Sequence, residues 1–135
     1  MAVPYAACMA LVASFYNLPP RVLPSIQAVE GGRPGIVRSN ADGSQDLGVM
    51  QVNTLWVPAV SHATHMPVIR VRALLRSHAC FNINVAGWIL SGYIAQERGD
   101  LMQAIGDYHS HTRPLNADYQ DRVLRSADRM YGAAE

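Results

Sequence analysis

Apolar residues recur at helical spacing along most of the chain, and a short polar segment near residue 40 interrupts this pattern. The spacing predicts helices over 4–16, 20–30, 68–76 and 81–98. Two further helices are predicted to follow, the first N-capped by Asp100 and the second by Asn116. The segment SNADGSQD, residues 39–46, contains Asp42-Gly43, a hairpin signal. Residues 58–67 are predicted to form a loop. We expect a mainly α (α+β) fold with about six helices and one small β-hairpin.

Within the first predicted helix, Ala7, Leu11 and Phe15 recur at helical spacing with Cys8 and Val12 beside them, which predicts one buried stripe. The 135 residues suffice for one domain, residues 1–135, that buries about two thirds of its unfolded surface.

Charge and composition exclude several classes of function. Eleven basic and ten acidic residues give a formal charge of +1, which argues against a nucleic-acid partner. Residues 1–20 are interrupted by Pro4, Ser14 and Asn17, so no membrane span is expected. The same stretch lacks the basic start of a signal peptide, so export would need a removed targeting segment or another route.

Two cysteines and five histidines offer no clear metal site. Cys8 and Cys80 show no CxxC spacing, and both buried thiols and a disulfide fit the sequence. The histidine pairs 62/65 and 109/111 do not form an HExxH helix, so neither a metal nor a cofactor is expected.

Glu30 and Asp46 are set in different surroundings that suit acid chemistry. Glu30 ends an apolar helix and is followed by Gly31-Gly32, one of which is expected in the left-handed conformation. Desolvation and the negative end of the helix dipole would raise the pKa of Glu30, whereas Asp46, near the start of the second hairpin strand, stays ionised. Such a pair suits glycosidic bond cleavage. A solvated helix end and a turn cap are the alternative interpretations.

Several segments in order resemble one family. These are Glu30-Gly31-Gly32, GSQDLGVMQVN at 43–53, Trp56, CFNINVAGWIL at 80–90 and AIGDYHS at 104–110. Together they resemble the lysozyme-like lytic transglycosylases, closest to the small specialised members of secretion, conjugation and pilus systems. The resemblance covers residues 8–131 and implies a lysozyme-like fold.

The resemblance also implies roles for individual residues. Glu30 matches the catalytic acid/base, and Asp46 falls on the second carboxylate of animal-type lysozymes, which many lytic transglycosylases lack. Cys8 and Cys80 match a disulfide of the same subgroup, and Asn82, Ala86 and Gly87 match a helix motif that packs behind the site. Tyr108 matches a tyrosine that faces the glutamate. The expected substrate-binding residues are Ser44, Gly48, Met50, Gln51, Asn53, Tyr108 and His109.

Two positions depart from the family pattern. The serine that commonly follows the glutamate is Gly31, so the contribution of its hydroxyl would have to come from Ser44 or water, or be absent. The asparagine that commonly follows the tyrosine is His109, which changes the side chain at one N-acetyl or peptide contact.

The implied activity is cleavage of the β-1,4 bond between N-acetylmuramic acid and N-acetylglucosamine, with a 1,6-anhydro product and no cofactor. The alternatives are a hydrolytic muramidase that uses Asp46, and a non-catalytic wall-binding protein. The expected partners are peptidoglycan strands and a secretion, conjugation or pilus machine, and we expect a periplasmic monomer.

Overall fold

The computed structural model describes residues 2–132, which form seven α-helices and a small three-stranded antiparallel sheet. The mainly α class with a small β part is confirmed, with seven helices instead of about six. The helices are α1 Ala6–Phe15, α2 Val22–Glu30, α3 Val57–Thr64, α4 Val68–Ser77, α5 Ala79–Gln96, α6 Leu101–His109 and α7 Arg113–Tyr131. Within residues 2–132, no helix has the length and apolar character needed to cross a membrane.

The sheet follows α2 and is larger than the predicted hairpin. Strand β1 (Val37–Ser39) pairs with β2 (Gln45–Leu47), and β2 pairs with β3 (Val52–Asn53). The Asp42-Gly43 turn joins the first two strands as predicted, with Gly43 at φ 87°. Because residues 48–51 form a second turn, the segment after Asp46 is not one continuous strand.

The predicted buried stripe of α1 is wrong at Ala7, Leu11 and Phe15 and correct at Val12, and Cys8 is half-buried. Ala7 is exposed, and Leu11 and Phe15 are 71% and 79% exposed, whereas Met9, Val12 and Ala13 are buried. Apolar residues surround almost the whole of this helix, so the spacing alone does not select the face that packs.

The predicted loop at residues 58–67 is largely helical. A 3-10 turn (Thr54–Trp56) leads directly into α3, and Pro58 lies in the first turn of that helix. Proline is tolerated there because the amide that it lacks has no partner within the helix.

Helix α5 runs through the core, with Ile83, Ala86, Gly87 and Leu90 among its buried residues. A Cβ at Gly87 would collide with the Val12 side chain, so this glycine allows close packing of α1 on α5. A disulfide joins Cys8 to Cys80 across 72 residues of sequence. In the chain-entropy model a loop of this length stabilises the fold by about 4 kcal/mol.

Helices α6 and α7 pack through a polar contact. Asp100 caps α6 as predicted and accepts a hydrogen bond from the Gln103 amide at 3.1 Å. Asn116 is not the cap of α7, because that helix begins at Arg113 after Thr112. Instead, the buried Asn116 amide donates to Asp107 Oδ1 and to the Ser110 carbonyl, both at 3.0 Å.

Candidate active site

The end of α2 places Glu30 at the edge of a cleft. Gly31 adopts the left-handed conformation at φ 67°, and its amide donates to the Gln27 carbonyl at 2.7 Å. Gly32 lies against the turn that follows β2, where a Cβ would collide with the carbonyl oxygens of Gly48 and Val49. The two glycines therefore have separate purposes: the first ends the helix, and the second brings the sheet close to Glu30.

Arg38 on β1 fastens this helix end to the sheet. Its guanidinium donates to the Glu30 carbonyl at 2.6 Å, to the Gly31 carbonyl at 3.3 Å and to Gln51 Oε1 at 3.3 Å. These acceptors include carbonyls at the negative end of the α2 dipole, where a cation is favourable. Arg38 thus offsets part of the dipole effect that the sequence predicts for Glu30.

The Glu30 carboxyl is half-buried and meets a tyrosine from the last helix. Tyr119, which is 1% exposed, donates its hydroxyl to Glu30 Oε2 at 2.6 Å. Burial raises the pKa of Tyr119 far above its usual range, so this hydroxyl remains a donor. Because Oε2 is engaged with Tyr119, Oε1 is the carboxyl oxygen available to another group.

The pKa of Glu30 is raised above its usual value. Burial is the largest cause, because it disfavours the charged form, and the charge of Asp46 acts in the same direction. The Tyr119 hydrogen bond and the charges of Arg122 and Arg38 lower the pKa of Glu30, but less than burial raises it. Glu30 therefore holds its proton to higher pH than an ordinary glutamate, as general acid catalysis requires.

The sheet supplies the opposite side of the cleft. The Asn53 side-chain amide donates to Asp46 Oδ1 and to Ser44 Oγ, both at 3.0 Å. Ser44 Oγ in turn donates to Asp42 Oδ1 at 2.6 Å. These contacts follow from the strand register, which places Asp46 opposite Asn53. Asp46 is therefore fixed in a hydrogen-bonded network of hairpin side chains.

Between these two sides lies a cleft of about 250 Å³. It brings together seven of the predicted site residues, although their roles remain predictions. Those residues are Glu30, Ser44, Asp46, Gln51, Asn53, Tyr108 and His109.

Gly48 and Met50 lie behind the cleft rather than in it, which corrects their predicted contact with substrate. Met50 is 0% exposed, and its amide donates to Asn82 Oδ1 at 2.8 Å. Gly48 packs against the Leu75 carbonyl and the Asn82 side chain, where a Cβ would not fit. The turn between β2 and β3 is thus buried against α5, because turn carbonyls and amides find partners there.

Asn82 holds this buried turn, in agreement with its predicted place behind the site. Its side-chain amide donates to the carbonyls of Leu47 and Leu75, each at 2.8 Å, in addition to the bond that it accepts from the Met50 amide. Gln51 adopts the left-handed backbone conformation at φ 53°, and its side-chain amide donates to the Gly48 carbonyl at 3.0 Å. Internal bonds therefore occupy part of the Gln51 amide, which we expected to bind glycan.

Tyrosine 119 is the site residue that the sequence did not reveal. The resemblance implies that Tyr108 faces Glu30. Tyr108 lines the same cleft as Glu30, and its hydroxyl donates to the Met50 carbonyl at 2.8 Å. No local signal in the sequence indicates that Glu30 is the partner of Tyr119. The His109 ring stacks on Tyr119 with centroids 4.9 Å apart and planes 10° from parallel.

No group of three or more His, Cys, Asp or Glu side chains within residues 2–132 is arranged to hold a metal ion. What the arrangement offers is a desolvated carboxyl on one side of a polar cleft and a hydrogen-bonded carboxylate on the other. This is a site suited to acid–base chemistry on a polar substrate.

Comparison with known proteins gives distant relatives. The chain is 29% identical over 122 residues to the invasion protein IagB of Salmonella typhimurium, which covers 90% of this chain and 72% of the relative. It is 27% identical over 127 residues to protein IpgF of Shigella flexneri, with 93% and 80% covered. For IpgF of Shigella sonnei the identity is 28% over 133 residues, with 96% and 84% covered. No protein-family model matches the chain.

Proposed function

We propose that this protein is a peptidoglycan lytic transglycosylase. It cleaves the β-1,4 bond between N-acetylmuramic acid and N-acetylglucosamine and leaves a 1,6-anhydro-muramic acid end. The observation that carries this proposal is the half-buried Glu30 carboxyl, held by Tyr119 at the edge of a cleft that Asp46 also lines. The family resemblance supplies the substrate class.

Glu30 acts first as an acid and then as a base. Protonated Glu30 donates its proton from Oε1 to the bridging glycosidic oxygen, and the bond from that oxygen to the anomeric carbon breaks. The ring then carries oxocarbenium-like positive charge. Ionised Glu30 accepts the proton of the muramic acid 6-hydroxyl, whose oxygen bonds to the anomeric carbon. Glu30 ends protonated as it began, and no water is consumed.

A hydrolytic muramidase is the second candidate, and the position of Asp46 favours it. Asp46 lines the same cleft as Glu30, and its charge raises the pKa of Glu30. A carboxylate there can orient a water molecule or attack the anomeric carbon. In that reaction one water is added and the product is a reducing sugar.

The relatives and the disulfide support a setting for this activity. IagB bears the name invasion protein, which fits the local opening of a cell wall during assembly of a secretion, conjugation or pilus machine. The disulfide between Cys8 and Cys80 fits an oxidising compartment such as the periplasm. We propose that the protein acts there as a monomer.

Mass spectrometry of the fragments released from purified sacculi tests the proposal. Anhydro-muropeptides, lighter by one water than hydrolytic products, are expected from the wild type. The Glu30→Gln variant should release them about a thousandfold more slowly, because it keeps the shape of the side chain but cannot donate a proton. Release of reducing ends would favour the muramidase, and binding to sacculi without release would contradict both reactions.

A further inference from the structure

A second depression lies where α2 packs beside α7, and arginines line it. Its volume is about 190 Å³, and its lining residues are Ala28, Val29, Arg122, Arg125 and Arg129. The three arginines follow one another at three and four residues along α7, so they project from one face of that helix. We call this feature the arginine depression.

The arginine depression and the cleft have opposite electrostatic character. The cleft is lined by the carboxyl groups of Glu30, Asp42 and Asp46, and among its described lining residues none is lysine or arginine. The arginine depression is lined by three guanidinium groups and two aliphatic side chains. An anionic group is therefore repelled by the cleft and attracted to the arginine depression.

The arginine depression begins next to the catalytic centre. Val29 directly precedes Glu30, and Arg122 follows Tyr119 by three residues, a rise of about 4.5 Å along α7. The charge of Arg122 lowers the pKa of Glu30, which places this guanidinium within electrostatic reach of the carboxyl. A flexible substituent on a sugar bound at Glu30 can therefore extend to the arginines.

We propose that the arginine depression is a subsite for the carboxylates of the peptide that muramic acid carries, an inference that rests on the proposed function. The glycan occupies the cleft while the acidic peptide leaves it and lies over α7. Guanidinium groups suit this ligand because they bind carboxylates through two parallel hydrogen bonds.

An acidic residue at the rim competes with such a ligand. Arg125 forms an ion pair with Asp121, one turn earlier on α7, and both side chains are largely exposed. Removing the Asp121 charge frees Arg125 for a carboxylate of the substrate. The Asp121→Asn variant should therefore bind the peptide more strongly, opposite to the effect of removing an arginine.

The experiment compares two substrates. One is glycan strands that carry their peptides, and the other is the same strands after an amidase has removed the peptides. The wild type should show a higher kcat/KM on the peptide-bearing strands. In the Arg125→Gln/Arg129→Gln double variant this preference should fall about three- to tenfold, since each exposed ion pair is worth up to about fivefold in binding. Asp121→Asn should increase the preference.

The choice of variants separates the subsite from the chemistry. Arg122 is left intact because its charge acts on Glu30. Arg70→Gln on α4 is the matched control. Arg70 is exposed, and this substitution removes the same kind of charge at a place away from the arginine depression. Thermal unfolding and circular dichroism verify that each variant is folded.

A binding measurement gives a readout that does not depend on turnover. In the Glu30→Gln background, the free acidic stem peptide should shift the amide resonances of Ala28 and Val29, and the shifts should disappear in the double arginine variant. Equal preference in the wild type, the double variant and the control would overturn the subsite while leaving the proposed function intact. If the folded wild type cleaves neither substrate, the proposed function itself fails.

Discussion

The two sides of the cleft each present a carboxyl group but treat it differently. The helical wall, formed by Glu30 and Tyr119, buries its carboxyl beside a tyrosine that is almost wholly enclosed. The sheet wall, formed by Ser44, Asp46 and Asn53, holds its carboxylate in a network of hairpin hydrogen bonds. The surroundings of a carboxyl group determine how readily it ionises. Burial raises the pKa of Glu30, so the helical wall holds the carboxyl group that is better suited to donate a proton.

The largest expected effect comes from the residue that holds the turn behind the sheet wall. Asn82 bonds to the Leu47, Met50 and Leu75 backbones, so Asn82→Ala leaves three buried backbone groups without that partner. We expect a loss of about 3 kcal/mol in the free energy of unfolding, measured by urea denaturation. The control is Asn84→Ala, two residues along α5, which removes only an exposed bond from Tyr16. Equal losses for the two variants would contradict the role of Asn82 in holding this turn.

A change in the helical wall should alter catalysis more than folding. Tyr119→Phe removes the hydrogen bond to Glu30 Oε2, which lowers the pKa of Glu30 in the wild type. The pKa should therefore rise, and the alkaline limb of the kcat/KM profile should move to higher pH. We also expect about a tenfold lower rate at the optimum, because a hydrogen bond to a charged group is lost.

Tyr108→Phe is the matched control for this variant. It removes a hydroxyl that lines the same cleft but donates to the Met50 carbonyl. If the alkaline limb of the kcat/KM profile moved upward by the same amount in Tyr108→Phe, the Tyr119 hydrogen bond would not be what lowers the pKa of Glu30.

A substitution of the carboxylate in the sheet wall should shift the pKa of Glu30 in the opposite direction. Asp46→Asn removes a negative charge that raises the pKa of Glu30, so the alkaline limb should move to lower pH. For a transglycosylase the rate at the optimum should fall less than about tenfold, because no second carboxylate takes part in the covalent steps. A loss near that of Glu30→Gln would instead favour the muramidase, and product masses from the same reactions distinguish the two.

Much of this comparison could be predicted from local signals. The Glu30–Gly31 helix end, the Asp42-Gly43 turn and the Asp100 cap each depend on a few neighbouring residues, and the structure has all three. The placement of Glu30 and Asp46 on one cleft follows from the family resemblance, and their catalytic roles stay predictions.

The features that the sequence did not predict depend on distant contacts. The bond from Tyr119 to Glu30 spans 89 positions and follows from how α7 packs on α2. Asparagine is a common residue at helix N-caps, yet Asn116 lies inside α7, where its side-chain amide donates to the buried Asp107. Helix α1 is apolar on almost every side, so its sequence does not indicate which face is buried. The face that packs against α5 is not the one that carries Leu11 and Phe15.

The smallest expected effect is a pH dependence of stability that comes from Glu30 in the helical wall. The folded protein holds the Glu30 pKa above its ordinary value of 4.5, so folding favours the protonated form. This contribution to stability is fully present below pH 4.5 and is lost as the pH rises through the raised pKa of folded Glu30.

Glutamine cannot ionise, so Glu30→Gln should be more stable than the wild type at pH 7, and the difference should shrink toward pH 4. Urea unfolding of both proteins across this range measures it. A difference that stays constant, or grows as the pH falls, would mean that burial does not control the charge of Glu30.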